Sequence, residues 1–577
     1  MKKKLLPALI VTGLIILVVI IMGITALINK YTPTKKTEDL KEYFNISSDD
    51  EAALIVDNEL SDYKAKIIDK KIYVDYKFVH DSLNSRFYWD ANENVLLYTT
   101  ASDIISAAAD SNSYSVTKQT NDFGYPIVKA TSDSALIALD YVKQYSNITF
   151  KSYDDPARIV ITSKWDEIDS ATVSNSTQVR VKGGIKSPIL KEVKKDDTIT
   201  ILDSGDKWDK VATEDGVIGY IKRKALSESK KTKLTNPDYE EETFTHIKKD
   251  KDICLAWNQV TSQSANSKVP QVISSTKGIN VMSPTWFYLN DNNGNLADIA
   301  SKDYVSYCHS QGIEVWGLFS NLENTDVDAA YVLTHTSTRT TLINQIMSAA
   351  FNYELDGVNI DFENITEAAY GDSYIEFIRE LSIKCHNNGI SLSVDVTVPA
   401  SFNKFFNRSD MANFADYIVI MGYDEHYKGS DAGSVSSIPW VTEGVESTLK
   451  EVPADQIILG MPFYTRIWEL TPKEDDDAVT DTEDQSKYTV ASQVYSMDAA
   501  AAQLATNNAT AALDEKSGQN YAEWSASNKL YKVWLEDSTS LEKRLKLVDD
   551  NKLAGAAFWK LGFENSSVWD TVIKYLD

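Results

Sequence analysis

Eight short apolar runs, separated by helix-length stretches between residues 249 and 577, constrain this chain more than any other feature. They are Ile253 to Trp257, Gly278 to Trp286, Glu314 to Phe319, Gly357 to Phe362, Ser391 to Val398, Tyr417 to Met421, Ile457 to Pro462 and Gly555 to Trp559. Eight strand-like runs alternating with helices predict a (β/α)8, or TIM, barrel. In that fold chemistry gathers at the C-terminal ends of the strands.

The fourth run carries the signal. In Asp356-Gly-Val-Asn-Ile-Asp-Phe-Glu363 strand side chains alternate faces, so Asn359, Asp361 and Glu363 project together. Val358, Ile360 and Phe362 project the other way, toward surrounding helices. Polar groups aimed into a barrel core cost several kcal/mol unless paired or hydrogen-bonded. An inward polar ladder at a strand exit therefore points to catalysis, against a purely structural network. A carboxyl group in such a cleft, beside another, has a raised pKa and can act as an acid near neutrality. Glu363, the outermost, is placed to reach a leaving-group oxygen.

These residues resemble the signature of glycoside hydrolase family 18, Asp-Gly-x-Asp-x-Asp-x-Glu at the end of the fourth barrel strand. Met421-Gly-Tyr-Asp424 resembles the family's sixth-strand motif, Gly460-Met-Pro-Phe-Tyr464 the seventh, and Ala557-Phe-Trp-Lys-Leu-Gly562 the eighth. The resemblance implies substrate-assisted retention, with Glu363 as acid and then base. It gives Asp361 the orientation of the sugar's 2-acetamido group, helped by the Tyr423 hydroxyl. It makes Trp559 the apolar floor, and Asp424, Met421, Tyr464 and Asn359 substrate contacts. No metal and no cofactor is implied.

One position departs from the signature. Asn359 stands where the family has its middle aspartate, and an amide cannot share the charge of Asp361, although it can hydrogen-bond it. The expectation is an active enzyme with an altered pH profile. Asn at this place, and the run Val533-Trp-Leu-Glu-Asp537, resemble the branch of the family acting on bacterial cell walls and spore cortex. After the seventh strand an insertion of about 469–528 holds Glu474-Asp-Asp-Asp477 and an alanine-rich helix around Met497 to Leu504. Its Tyr521-Ala-Glu-Trp524 serves either sugar contacts or the core of a packed sub-domain.

Upstream, 50–164 combines aromatic strands such as Arg86-Phe-Tyr-Trp-Asp90 with helical stretches, in a pattern resembling a weak duplication. It resembles the small α+β module named for the N-terminal domain of copper amine oxidases, with no copper ligands implied. Residues 171–228 alternate short strands with Gly and Asp turns, which argues for a small β-barrel. The order of Val179-Arg-Val181, Trp208-Asp-Lys-Val211 and Gly219-Tyr-Ile221 resembles bacterial SH3-type domains, which bind cell-wall peptides. A plain spacer is the alternative. Residues 229–248 read as a linker and 29–49 as a polar tether.

Residues 1–28 read as a short cytoplasmic stub and a transmembrane signal anchor. Leu5 to Ile28 are uncharged and mostly apolar, long enough to span about 30 Å of hydrocarbon. A cleaved signal peptide is the alternative, but the run is long for one and lacks a small-x-small site. Lys2, Lys3 and Lys4 favour an N-terminus inside and the other domains outside, on the cell-wall side.

Composition excludes partners. With 84 acidic against 58 basic residues the net charge is −26, which argues against nucleic acid and strong adhesion to anionic polymers. Cys254, Cys308 and Cys385 have no metal or redox spacing and read as small buried hydrophobes. What the resemblance implies is thus a hydrolase of N-acetylglucosamine bonds in peptidoglycan. A chitinase-type hydrolase and a catalytically silent cell-wall sugar-binding protein are the alternatives.

Overall fold

A computed structural model describes residues 5–365, 370–473 and 484–576. The eight runs form strands β1 (Ile253–Asn258), β2 (Val281–Leu289), β3 (Glu314–Ser320), β4 (Gly357–Asp361), β5 (Ser391–Thr397), β6 (Tyr417–Met421), β7 (Ile457–Pro462) and β8 (Gly555–Trp559). Each pairs in parallel with the next, and β8 closes onto β1 through Ile253↔Gly555, so the sheet is a barrel. Closure leaves these strands no free edge.

Alternation sorts the side chains as the sequence predicts. Leu255, Trp257, Trp316, Leu318, Tyr417 and Val419 pack together inside the barrel. Val358, Ile360 and Phe362 join the larger core under the helices, where Phe362 stacks on Phe377 at 5.6 Å and 11°. Gly357 has a steric cause: a Cβ there would lie 2.5 Å from the Trp316 ring.

After β7 the chain builds a second sheet from Tyr464–Pro472, Tyr488–Ser496, Lys529–Leu535, Gln519–Ala526 and Ala512–Asp514, with helix Met497–Thr506. Trp524 stacks on Tyr531 at 5.3 Å and Tyr521 meets Trp534 at 4.8 Å, so the aromatics of Tyr521-Ala-Glu-Trp524 are engaged in packing this sub-domain. The acidic run 474–477 lies outside the described residues.

Contacts divide the chain into two units. One holds residues 90–106, 115–120 and 242–577. The barrel's unit therefore draws in residues expected to belong to the 50–164 module. Asp90, almost fully buried, accepts hydrogen bonds from the backbone N–H (2.7 Å) and hydroxyl (2.6 Å) of Thr336. Thr336 begins helix α1 (Thr336–Tyr353), and the Thr99 hydroxyl donates to Glu376 of helix α2 (Gly371–His386) at 2.7 Å.

The other unit holds residues 1–89, 107–114 and 121–241. Its two seven-stranded sheets run from Glu51 to Thr162 and from Glu167 to Lys233. The expected tether is in part folded onto this unit. Thr37 bridges to Ile189, helix Leu40–Tyr43 forms, and Phe44 is buried with Val179 and Leu190. Three apolar side chains, Leu40, Tyr43 and Phe44, outweigh the polar run that suggested a free segment. Lys230–Lys233 likewise pairs with Glu167–Ser170, so the expected linker begins as a sheet edge. Helix Leu5–Tyr31 contains a 25-residue segment, Pro7–Tyr31, whose most apolar 18 residues have a mean hydropathy of 2.9, long and apolar enough to cross a bilayer. Cys254, Cys308 and Cys385 are free and buried.

Candidate active site

The side chains singled out on β4 meet those of β5, β6 and β8 at the C-terminal mouth of the barrel. Asn359 is fully buried and Asp361 nearly so, while Glu363 is exposed at the rim. Asp356 sits at the opposite end of β4, where it accepts from the Val315 N–H (2.8 Å) and meets His309 (2.7 Å). Its place is structural.

Asn359, which could hydrogen-bond Asp361, bonds other partners. Its oxygen accepts from the Trp257 indole N–H at 3.0 Å and the Ser283 hydroxyl at 2.9 Å. Its Nδ2 donates to the Ser393 hydroxyl at 3.1 Å and to an Asp395 carboxylate oxygen at 2.7 Å. Indole nitrogen only donates, so the amide can face Trp257 in one orientation alone, with its N–H groups toward β5. Asp395 was missed by sequence reasoning. The signal was present, because Asn359 pairs with Ser393 in register and Asp395, two residues on, shares its inward face.

One oxygen of Asp361 is buried without a hydrogen-bond partner. Burial, then the charges of Asp395, Glu363 and Glu323, push its carboxyl well above the usual range. Burial also raises Asp395, against the lowering effect of the Asn359 bond. At Glu363 partial desolvation, followed by the charges of Asp424 and Glu323, raises the pKa. Glu323, whose carboxylate accepts from Ser320, is a second acid the sequence did not flag.

Around these carboxyls stand aromatics. Trp257 meets Trp559 edge-on at 5.9 Å and Tyr423 at 6.4 Å and 90°. Burial, then the charges of Asp361, Asp395 and Glu363, raises the pKa of the Tyr423 phenol, so it is available as a donor. The Tyr464 hydroxyl donates to Asp424, with Arg466 3.9 Å from the same oxygen. Tyr464 is thus buried and spent on Asp424. Met421, with Phe362, Glu363, Asp395 and Phe406, lines a recess of about 130 Å³. Among the described residues no group of three or more His, Cys, Asp and Glu could hold a metal ion.

Residues 318–564 match glycosyl hydrolases family 18. The chain carries a family 18 glycosyl hydrolase domain. The chain is 24% identical over 301 residues to glycosylase YvbX of Bacillus subtilis (strain 168), covering 49% of this chain and 81% of YvbX. It is 25% identical over 287 residues to the cortical fragment-lytic enzyme of the same strain, covering 48% of this chain and 63% of that enzyme. A chitinase-like mite allergen from Dermatophagoides farinae is 25% identical over 238 residues, covering 39% of this chain and 50% of the allergen. The chain thus spans less than two thirds of the last two proteins. In fold, 57% of this chain superimposes on the whole C-terminal domain of a chitinase candidate from Desulfitobacterium hafniense DCB-2, with a TM-score of 0.50 at 18% identity. The family 18 domain is a glycosidase related to spore cortex-lytic enzymes and chitinases.

Proposed function

We propose that this chain hydrolyses N-acetylglucosamine bonds of bacterial peptidoglycan, using the substrate's own acetamido group. The observation that carries the reading is Asp361: a buried inward carboxyl, one oxygen unpartnered, beside the rim acid Glu363 and the Tyr423 phenol. Glu363, its pKa raised, gives its proton to the glycosidic oxygen as the bond to the anomeric carbon breaks. The acetamido carbonyl oxygen attacks that carbon and forms an oxazolinium ion. Asp361 takes the amide N–H and offsets the positive charge, while Tyr423 donates to the acetamido oxygen. Glu363, now ionised, removes a proton from the water that opens the ring, which regenerates the acid. Trp559 lies under the sugar, Met421 closes the recess, and Asp424 and Asn359 fix neighbouring groups.

The relatives named for cortical fragment lysis support a wall substrate over chitin. In this reading the helix Leu5–Tyr31 holds the enzyme at the membrane with its other domains outside. The sheet built on 171–228 is SH3-like and takes wall peptides, and that built on 50–164 is a spacer of the copper amine oxidase N-terminal type.

The test is digestion of purified peptidoglycan by the protein, with new reducing ends read by mass spectrometry. New N-acetylglucosamine ends that vanish in Glu363→Gln are expected. N-acetylmuramic acid ends would move the bond, and release from chitin alone would move the substrate. No release from either would leave a sugar-binding protein.

A further inference from the structure

We infer that Asp395 is a positioning residue for this site, the second carboxyl of a pair with Asp361, supplied by β5 and oriented by the Asn359 amide. This rests on the proposed hydrolase reading. Two facts of geometry carry it. Asn359 is locked by the donor-only indole of Trp257, so the face it turns to β5 can only donate, and what it meets there is an Asp395 oxygen at 2.7 Å. Asn359 is fully buried and Asp395 nearly so, with no room for water to dilute the interaction. An acid at position 359 would set two carboxylates against each other at that distance. The amide at 359 and the acid at 395 are therefore complementary: the charge that β4 lacks stands one strand over.

The consequence concerns where a proton resides. Two buried carboxyls side by side cannot both ionise. Asn359 favours the ionised form of Asp395, and the unpartnered oxygen of Asp361 has no such donor. The pair's proton then sits on Asp361 in the empty site and passes to Asp395 when the acetamido N–H arrives, which leaves Asp361 ionised to accept it. The other ionisable groups facing the pair are Glu363 at the rim, Glu323 after β3, Tyr423 after β6 and Tyr374 on α2. None of these supplies a positive charge. Arg408, beyond the end of β5, is engaged with the Thr397 carbonyl, Asn403 and Glu451.

The experiment compares the full chain with Asp395→Asn, Asn359→Asp and the exchange variant Asn359→Asp/Asp395→Asn. One readout is the pH profile of glycan release. The other is melting temperature against pH, which needs no substrate. A carboxyl raised in the folded state contributes stability below its unfolded value that is lost as pH rises through the folded value. Asp395→Asn should flatten that fall above about pH 4 and move the Asp361 limb of the activity profile down by about one unit. Asn359→Asp should steepen the fall, and the exchange variant should return both curves toward the parent. Curves for Asp395→Asn that overlay the parent, or an exchange variant whose curves stay with those of Asp395→Asn, would overturn the pairing. Should Asp395→Asn fail to fold, recovery in the exchange variant supports the pair and continued failure overturns it. A parent that releases nothing from wall or chitin sinks the hydrolase reading, while the melting curves still decide the pair.

Discussion

Trp257 on β1 donates its indole N–H to the side-chain oxygen of Asn359 on β4, 3.0 Å away across the barrel. A residue packed in the core thereby decides which end of an amide meets Asp395. Core packing and site chemistry are joined through that one bond.

Trp257→Phe keeps an aromatic ring, smaller than the indole, and deletes the donor. Asn359 retains only Ser283 at its oxygen. Losing a buried hydrogen bond and leaving its acceptor short should cost about 1–3 kcal/mol, read as a lower denaturant midpoint at unchanged slope. Activity should fall more than stability alone explains, because the amide can then flip. A variant with parent activity and a shifted midpoint would confine Trp257 to packing.

Glu363 must be protonated to act as an acid, so activity should fall as pH rises through its raised value. Asp424 is the first charge that raises it after burial itself. Asp424→Asn removes that charge and lowers the Glu363 value, so the alkaline limb should move to lower pH. The shift should be well under one unit, since Asp424 is about half exposed and solvent screens it. A limb that moves up, or stays fixed, would remove Asp424 from the site's electrostatics.

Much of this was legible in the chain. Alternation in Gly357–Asp361 placed Asn359 and Asp361 inside and Val358 and Ile360 outside, because a closed barrel gives each strand only two faces. Asp395 was legible by the same rule and passed over, since Ser-Leu-Ser-Val-Asp-Val-Thr reads first as a buried strand with nothing catalytic about it. The folding of Leu40, Tyr43 and Phe44 was hidden by the polar residues around them. The allegiance of residues 90–106 to the barrel's unit could not be read at all. It depends on Asp90 meeting a helix start some 246 residues away, and no local pattern encodes that.

Asp90→Ala tests that allegiance. The carboxylate caps the start of α1 through the Thr336 N–H and hydroxyl. Removing a capping acid at a helix N-terminus should cost about 1 kcal/mol, with a further contribution from the helix dipole. Amide exchange in the first turn of α1 should quicken. Unchanged protection there would mean the cap is redundant with Glu93, which reaches Ser337.

Glu536, inside the run that suggested the wall-lytic branch, is fully buried and accepts twice from Arg544, at 2.6 and 2.9 Å. Gln519 and Ser540 each add a hydrogen bond at 2.8 Å, and Arg544 also reaches the Ser436 carbonyl. The pair therefore ties the second sheet to the loop after β6, behind the motif that carries Tyr423 and Asp424. Arg544→Met leaves a buried carboxylate without its counter-charge and should cost about 3–5 kcal/mol at neutral pH. The sign with pH follows from the chemistry. Burial already raises Glu536 and Arg544 opposes that rise. Without the arginine the folded-state value climbs further, so the variant regains stability as pH falls and Glu536 takes a proton. The deficit should thus be largest near pH 7 and smaller near pH 5. Adding Glu536→Gln should recover much of it by removing the charge while keeping an acceptor for Ser540. A deficit independent of pH, or an undiminished one in the double variant, would show that Arg544 acts through packing rather than charge.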